Sequence, residues 1–225
     1  MMTLGIISKA EAARYMGVKG EPDKSVRELL DKYEPIVRAK LRPAYVYRET
    51  EVNFTADGVQ IAGMNAVLTG EDIRRHLAGC GRAVLLAATV SAEADKLIRQ
   101  TAVTDMAAAL AVDCLCSAAV EQVCEHAEEE IFSEVEAPFR TWRFSPGYGD
   151  LPIALQRDFL LALNAQRRIG LTVTENSLLV PSKSVTAIIG ISQAPSAQEL
   201  KRGCESCNMR GRCAFSENGG CGRKN

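Results

Sequence analysis

The longest predicted helix, at about Thr104–Phe132, most constrains how this chain can fold. The segment is rich in alanine, which lets neighbouring elements pack closely against it, and it ends in a run of glutamates. Its apolar part is interrupted by three acidic residues, Asp105, Asp113 and Glu121. No stretch therefore approaches the roughly 18 consecutive apolar residues that indicate a membrane span. We predict a central helix in a soluble protein that has no membrane partner.

The elements around this helix mix strands with helices in no regular order. Alternating or continuous apolar residues predict strands at 44–55, 59–61, 82–90, 139–144, 171–180 and 185–192. Capping residues and helical spacing predict further helices that begin after Ser8, Asp23, Thr69 and Ser91 and near Pro152. Because a doubly wound sheet requires regular strand–helix–strand alternation, this mixture favours an α+β fold.

The composition changes beyond Ala194, where Gly, Ser, Cys, Lys and Arg dominate. Such a sequence is typical of a tail rather than of a segment that packs a core. We therefore divide the chain into a domain at 1–194 and a Cys-rich tail at 195–225.

Charge and targeting signals narrow the class of protein. The chain has 27 basic and 28 acidic residues, so its net charge is only −1. This balance provides no general attraction to a polyanion and predicts no nucleic-acid partner. The N-terminus has no basic region, and its apolar stretch is too short for a secretory signal, which predicts a cytoplasmic location.

The eight cysteines fall into two groups with different predicted roles. The first four lie in apolar sequence and are expected to be buried core thiols: Cys80, Cys114, Cys116 and Cys124. The other four crowd into the tail: Cys204, Cys207, Cys213 and Cys221. Four thiolates on a glycine-rich segment can surround a tetrahedral metal, and either zinc or an iron–sulfur cluster fits. The alternative is a tail whose thiols bind nothing.

The segment Arg143–Tyr148 (Arg-Phe-Ser-Pro-Gly-Tyr) combines a basic residue with a tight turn. The arginine lies at the end of a predicted strand, just before Pro-Gly. Its guanidinium is therefore placed beside a tight turn whose backbone amides are expected to be free. Such a turn suits a ligand that carries a carboxylate, because arginine can bind that group with two hydrogen bonds. Spacing alone leaves open the alternative that this is an ordinary turn with a surface arginine and no ligand. Pro-Gly turns are common, and a single arginine usually lies on the surface.

Several motifs in the right order resemble the activation (reactivation) domain family of cobalamin-dependent methionine synthase. Arg143–Tyr148 resembles its Arg-x-x-Pro-Gly-Tyr signature, and Ile169–Asn176 is similar to its Gly-x-x-Leu/Val-Thr-Glu-Ser stretch. Pro181 and Ser184 fall where the family has Pro-Gly-Ala-Ser, and 113–125 is similar to its long helix. The resemblance is good over 104–192 and thin before it. It implies a twisted, mainly antiparallel sheet packed with helices, one of them long and central.

The resemblance also implies a site for S-adenosylmethionine. By analogy with the family, Arg143 holds the methionyl carboxylate, and Glu121 on the long helix meets the ammonium group. The backbone around Ser145, Gly147 and Tyr148 contacts the nucleoside, and the Tyr148 side chain adds shape. Two simpler interpretations stay open: Glu121 as a solvated helix charge, and Tyr148 as an anchor in the core.

The chain also departs from the family pattern. The family's tyrosine shortly after the last strand has no counterpart here, since Gln193-Ala194-Pro195 stand in that place. An aspartate that the family supplies from its N-terminal region cannot be placed. These departures affect the adenine side of the ligand more than the carboxylate contact.

No arrangement typical of a self-contained enzyme accompanies these motifs. The sequence shows no paired catalytic carboxylates, no Ser/His/Asp pattern and no phosphate-binding loop. His76 and His126 are assigned to polar parts of helices, without the spacing of a ligand pair, and we expect them to be structural. We therefore expect a component of a methyltransferase reaction rather than a complete enzyme.

The function that the resemblance implies is that of a stand-alone accessory protein for the cobalamin of methionine synthase. It would present S-adenosylmethionine to inactive cob(II)alamin on a partner while an electron is delivered, so that methylcobalamin is restored. The partners would be the cobalamin-binding modules or another corrinoid protein, and a reductant protein or a tail iron–sulfur cluster would supply the electron. The alternative is a module that binds S-adenosylmethionine or a metal and serves another corrinoid methyltransferase.

Overall fold

The structure is a computed structural model that describes residues 2–194. Seven helices are described in this part of the chain: α1 (Lys9–Tyr15), α2 (Lys24–Lys40), α3 (Glu71–His76), α4 (Ala92–Ala102), α5 (Met106–Glu134), α6 (Gln156–Leu163) and α7 (Ala165–Ile169). The strands are β1 (Ala44–Phe54), β2 (Val59–Ile61), β3 (Cys80–Thr89), β4 (Phe139–Arg140), β5 (Thr172–Val173), β6 (Leu179–Val180) and β7 (Ser184–Ser192). A short 3-10 helix at Ile153–Leu155 precedes α6.

Five strands form one antiparallel sheet in the order β2-β1-β3-β7-β4. The central strand β3 is buried along nearly its whole length, as its continuous apolar run predicts. Leu85 packs with α6 side chains such as Phe159 on one face, whereas Leu86 lies with Ile131 of α5 on the other. The sheet is therefore covered by helices on both faces. The predicted α+β fold with an antiparallel sheet and a long helix is confirmed.

Helix α5 is the central helix that the sequence predicts. It begins where the Asp105 carboxylate accepts the backbone N–H groups of Ala107 and Ala108, which satisfies amides that have no partner within the helix. Its length and hydropathy would suffice to cross a membrane, but 67% of its most apolar window is buried inside the fold. This burial identifies α5 as a core helix.

Local sequence signals fix most of the helix starts. Ser8 and Ser91 each accept a backbone N–H at the start of the following helix, as predicted, and Asp23 does the same at the predicted start of α2. The four cysteines of the domain are buried free thiols, also as predicted. Burial raises the pKa of Cys80 and Cys114 to about 11 and that of Cys116 and Cys124 to about 12. These four thiols are thus poor nucleophiles.

Two predicted strands are shorter than expected. The strand predicted at 171–180 is a small hairpin of β5 and β6, because Ser177 has a φ of 61° and Thr174 donates its N–H to the Leu178 carbonyl. The strand predicted at 139–144 has regular pairing only in β4, and an isolated antiparallel bridge joins its last residue, Phe144, to Ile188. Beyond β4, the Thr141 hydroxyl accepts the Gly190 N–H at 2.8 Å, and this side-chain contact replaces a backbone ladder bond.

The helix predicted to begin near Pro152 is divided. Asn164 adopts a left-handed conformation, with a φ of 50°, that ends α6 and turns the chain into α7.

Candidate functional site

The segment Ser145–Tyr148 is a tight turn between β4 and α6. Tyr148 donates its N–H to the Ser145 carbonyl at 2.9 Å, and Gly147 has a φ of 93°. Proline in the second position and a left-handed glycine in the third are typical of a type II turn. A side chain at Gly147 would adopt a strained backbone and would also press on Ile153. The sequence Pro-Gly thus dictates the shape of this turn.

The expectation that this turn presents free backbone amides is wrong for Gly147 and Tyr148. The Gly147 N–H is donated to the Leu151 carbonyl at 2.9 Å, and the Tyr148 N–H is used within the turn. The reason is that Asp150 and Leu151 fold back over the turn, where Leu151 also donates to the Tyr148 carbonyl. The turn can therefore offer side chains and carbonyl oxygens, which can each accept a second hydrogen bond.

Arg143 and Glu121 lie in direct contact, although 22 residues separate them in the chain. Arg143 Nη2 lies 2.9 Å from Glu121 Oε2, and its Nε lies 3.0 Å from Glu128 Oε1. The two glutamates are two helical turns apart on α5, so one face of that helix presents both carboxylates. The Arg143 side chain is only 11% exposed, whereas Glu121 is 34% exposed. Arg143 Nη1 is buried without a hydrogen-bond partner in the described part of the chain.

The electrostatics of this pair favour a charged arginine. Burial opposes its charge, but the Cys124 sulfur and the Glu121, Glu128 and Glu125 carboxylates outweigh burial and raise the pKa of Arg143. The guanidinium is therefore a permanent cation in a largely acidic environment.

Two tyrosines flank Glu121. Burial raises the pKa of Tyr148, and the negative charge of Glu121 adds to that shift, while hydrogen bonding to Ser145 lowers it. Burial and the same glutamate raise the pKa of Tyr15 on α1. Both phenols are hence neutral at neutral pH and available as hydrogen-bond donors. The residue is 51% exposed as a whole, while its ring contacts Phe144 and Trp142.

A cluster of aromatic rings packs against the residues of the turn. His76 lies 4.8 Å, centroid to centroid, from both Trp142 and Phe144, and Phe144 lies 5.9 Å from Tyr148. His76 is 2% exposed, and its Nε2 lies 2.8 Å from the Thr141 hydroxyl. The assignment of His76 to a polar helix face is wrong, because α3 turns this side of itself toward the core. No local signal reveals that contact, since Thr141 is 65 residues away.

A cavity of about 230 Å³ lies elsewhere on α5, between residues 2–5 and the side chains Gln122, Glu125, His126 and Glu129. It is smaller than the roughly 300–1,000 Å³ of typical small-molecule pockets. Charged and aromatic groups instead converge around Arg143 and Tyr148, and this convergence identifies the candidate site.

The predicted metal ligands Cys204, Cys207, Cys213 and Cys221 lie outside the described residues. Within residues 2–194, no group of three or more His, Cys, Asp or Glu side chains is arranged to hold a metal ion. Metal binding thus stays a prediction from the spacing of the tail cysteines.

Comparisons with known proteins agree with the resemblance of the motifs. The family model described as "Vitamin B12 dependent methionine synthase, activation domain" matches residues 78–201 and so includes β3 as well as α5. Among solved structures, the MetH reactivation domain bound to AdoHcy is similar in fold, with a TM-score of 0.66 at 14% sequence identity. That match covers 86% of this chain and 76% of the other. No curated protein sequence matches the chain.

Proposed function

Because the chain belongs to the family of vitamin B12 dependent methionine synthase activation domains, we propose that it binds S-adenosylmethionine and presents the ligand's methyl group to cobalamin on a partner. The observation that carries this proposal is the contact between Arg143 and Glu121 beside the Pro-Gly turn. The division into a binding domain at 1–194 and a tail at 195–225 belongs to the same proposal.

The ion pair complements the amino-acid end of the ligand. An α-amino acid carries a carboxylate and an ammonium group side by side, and an adjacent arginine and glutamate offer the opposite charges. Glu121 is more exposed than Glu128, whose side chain is 16% exposed. We therefore propose that the ligand separates Arg143 from Glu121, while Glu128 keeps the guanidinium in place through Nε. The carboxylate would then bind Arg143, and the ammonium group would bind Glu121.

The turn supplies the rest of the proposed site. Tyr148, which is half-exposed, offers a ring face and a neutral hydroxyl to the nucleoside. Ser145 and Gly147 contribute carbonyl oxygens, which can accept hydrogen bonds from an exocyclic amine. The MetH reactivation domain with the similar fold binds AdoHcy, a ligand that contains both the nucleoside and the amino-acid group.

Tyr148 is half-exposed and Glu121 is 34% exposed, and this exposure supports transfer to another protein. In reductive methylation one electron reduces cob(II)alamin, the methyl–sulfur bond of S-adenosylmethionine breaks, and methylcobalamin and S-adenosylhomocysteine are formed. A ligand held beside these exposed side chains can be approached by a cofactor bound to a second protein. The contribution of this chain is to bind and orient the sulfonium ligand, for which no general acid or base is needed.

The partner we propose is the cobalamin-binding part of a methionine synthase, together with a source of low-potential electrons. Calorimetric titration of the full chain with S-adenosylmethionine and S-adenosylhomocysteine should show saturable binding. In a stoichiometric assay with cob(II)alamin-loaded methionine synthase, methylcobalamin should appear only when this protein, a reductant and S-adenosylmethionine are all present. Binding without any increase in methylcobalamin would contradict the reactivation role and leave an S-adenosylmethionine-binding module.

We propose further that the tail binds a metal through Cys204, Cys207, Cys213 and Cys221. Four closely spaced thiolates suit zinc or an iron–sulfur cluster, and a cluster would provide, on the same chain as the binding domain, a carrier for the electron that reduces cob(II)alamin. Anaerobic purification should yield a protein with stoichiometric iron and sulfide, a visible absorption band and an EPR signal after reduction. A colourless protein with stoichiometric zinc, even after reconstitution with iron and sulfide, would contradict the electron-transfer role.

A further inference from the structure

We infer that Asp150 is a positioning residue for the ligand site, because it fixes the Ser145–Tyr148 turn against the start of α3. The inference rests on the proposed function, since it concerns the same turn. Asp150 makes no contact with Arg143 or Glu121 among the hydrogen bonds of the described chain. Its effect on the ligand would therefore pass through the geometry of the turn.

Asp150 and Asp72 bond each other's backbone. Asp150 Oδ2 accepts the Glu71 N–H at 2.7 Å, and its Oδ1 accepts the Asp72 N–H at 3.1 Å. In return, Asp72 Oδ2 accepts the Asp150 N–H at 3.2 Å. We name these three hydrogen bonds the α3 clamp. They join the start of α3 to a segment 78 residues further along the chain.

The α3 clamp replaces a local helix cap. Gly70 precedes α3 and has no side chain to accept its first amides, so the Asp150 carboxylate accepts them from a distance. A Cβ at Gly70 would collide with the Asp150 carboxylate, and a Cβ at Gly149 would collide with the carboxylate of Asp72. Both glycines also have positive φ, of 126° and 54°. The backbone at Gly70 and the backbone at Gly149 therefore lie too close to the opposite aspartate for any residue larger than glycine.

The α3 clamp attaches the C-terminal end of the segment that contains Arg143 and Tyr148 to the start of α3. The N-terminal end of the same segment is attached to the end of α3. At its last residue, His76 contacts Trp142 and Phe144 and lies within hydrogen-bond distance of Thr141. Arg143 and Tyr148 therefore lie between two points at which the chain is attached to the same short helix. Because Asp150 comes two residues after Tyr148, loss of the clamp frees the exposed side of the turn.

A turn held in place before binding has less conformational freedom to lose when the ligand arrives. Removing the clamp should therefore reduce ligand affinity with little change in the contacts themselves. We expect Asp150→Ala to weaken S-adenosylhomocysteine binding by about fivefold to thirtyfold. A range of this size is expected because the variant loses the hydrogen bonds that cap α3 and, with them, the ordering of the turn before the ligand binds. Asp150→Asn keeps one acceptor oxygen and should lie between Asp150→Ala and the wild type.

The matched control is Asp105→Ala. Asp105 also accepts two backbone N–H groups at a helix start, but it lies at the beginning of α5, sixteen residues before Glu121. Calorimetry with S-adenosylhomocysteine would measure affinity, and amide hydrogen exchange would follow the Gly147, Tyr148 and Leu151 amides, which donate within the turn. We expect weaker binding and faster exchange at these amides for Asp150→Ala, and neither for Asp105→Ala.

The outcomes separate this inference from the proposed function. Wild-type affinity in Asp150→Ala would overturn the inference and leave the proposed function intact. Equal losses in Asp150→Ala and Asp105→Ala would also overturn it, since the effect would then reflect general stability. A wild-type protein that binds neither S-adenosylmethionine nor S-adenosylhomocysteine would overturn the proposed function, and the inference with it.

Discussion

Replacing Arg143 with alanine is expected to weaken the binding of S-adenosylmethionine and S-adenosylhomocysteine by about tenfold to a hundredfold. A charge-assisted contact between arginine and carboxylate is worth about 1.5–3 kcal/mol, which corresponds to this range of affinity. Both ligands carry the same amino-acid carboxylate, so the loss should be similar for the two. Calorimetric titration measures it directly.

The same substitution is expected to lower the free energy of unfolding. Glu128 is 16% exposed and would lose its partner, and an unpaired, mostly buried carboxylate is unfavourable. We expect a loss of about 2 kcal/mol, less than for a fully buried pair because Glu121 is partly solvated. Binding should be compared at a temperature at which circular dichroism shows both proteins folded.

Two further variants separate the carboxylate contact from general damage. Arg143→Lys keeps the positive charge but loses the planar fork of donors, so its affinity should lie between those of the wild type and Arg143→Ala. Arg140→Ala removes an arginine three residues earlier, whose guanidinium lies 4.5 Å from the centre of the Phe132 ring. It should bind like the wild type. Equal losses in Arg140→Ala and Arg143→Ala would exclude a specific role for Arg143.

Features with short-range causes were predictable from the sequence. Ser8, Asp23 and Ser91 cap helices because a hydroxyl or carboxylate can reach an amide two or three residues away, and that chemistry is visible in the sequence. The continuous apolar run of β3 likewise indicates a strand buried on both faces, whatever its neighbours are. In each case a few adjacent residues determine the structure.

Features that depend on distant partners were not predictable in this way. The irregular end of β4 arises because the Thr141 hydroxyl bonds the backbone of Gly190, and the start of α3 depends on Asp150. The contact between Arg143 and Glu121 crosses 22 residues and was expected only through the family resemblance. The resemblance assigned the two side chains to opposite charges of one ligand, and it did not predict that they form an ion pair with each other.

The second large effect concerns pH and His76. Burial lowers the pKa of His76 to about 4, and its neighbours Thr141, Trp142 and Phe144 carry no charge that could stabilise the imidazolium. In the unfolded chain a histidine has a pKa of about 6.5. Between these values the unfolded chain binds a proton that the folded protein does not bind. Stability should therefore be complete above about pH 6.5 and fall as the pH drops toward 4.

The size of this effect follows from the two pKa values. A difference of about 2.5 units corresponds to about 3 kcal/mol of unfolding free energy lost by pH 4. His76→Gln removes the titrating group and retains a polar side chain that can face the Thr141 hydroxyl. Urea unfolding between pH 4 and 7 should show a smaller loss of stability on acidification for His76→Gln than for the wild type, by about 3 kcal/mol.

The chain contains only one other histidine, and it provides the control. His126 lies on the exposed side of α5, where its Nε2 is 3.3 Å from Glu130, so His126→Gln should follow the wild-type pH profile. Parallel profiles for the wild type and His76→Gln would mean that His76 accepts a proton without disturbing its surroundings. Solvent would then reach the His76 ring, and the packing of Trp142 and Phe144 around it would be less tight than the ring contacts indicate.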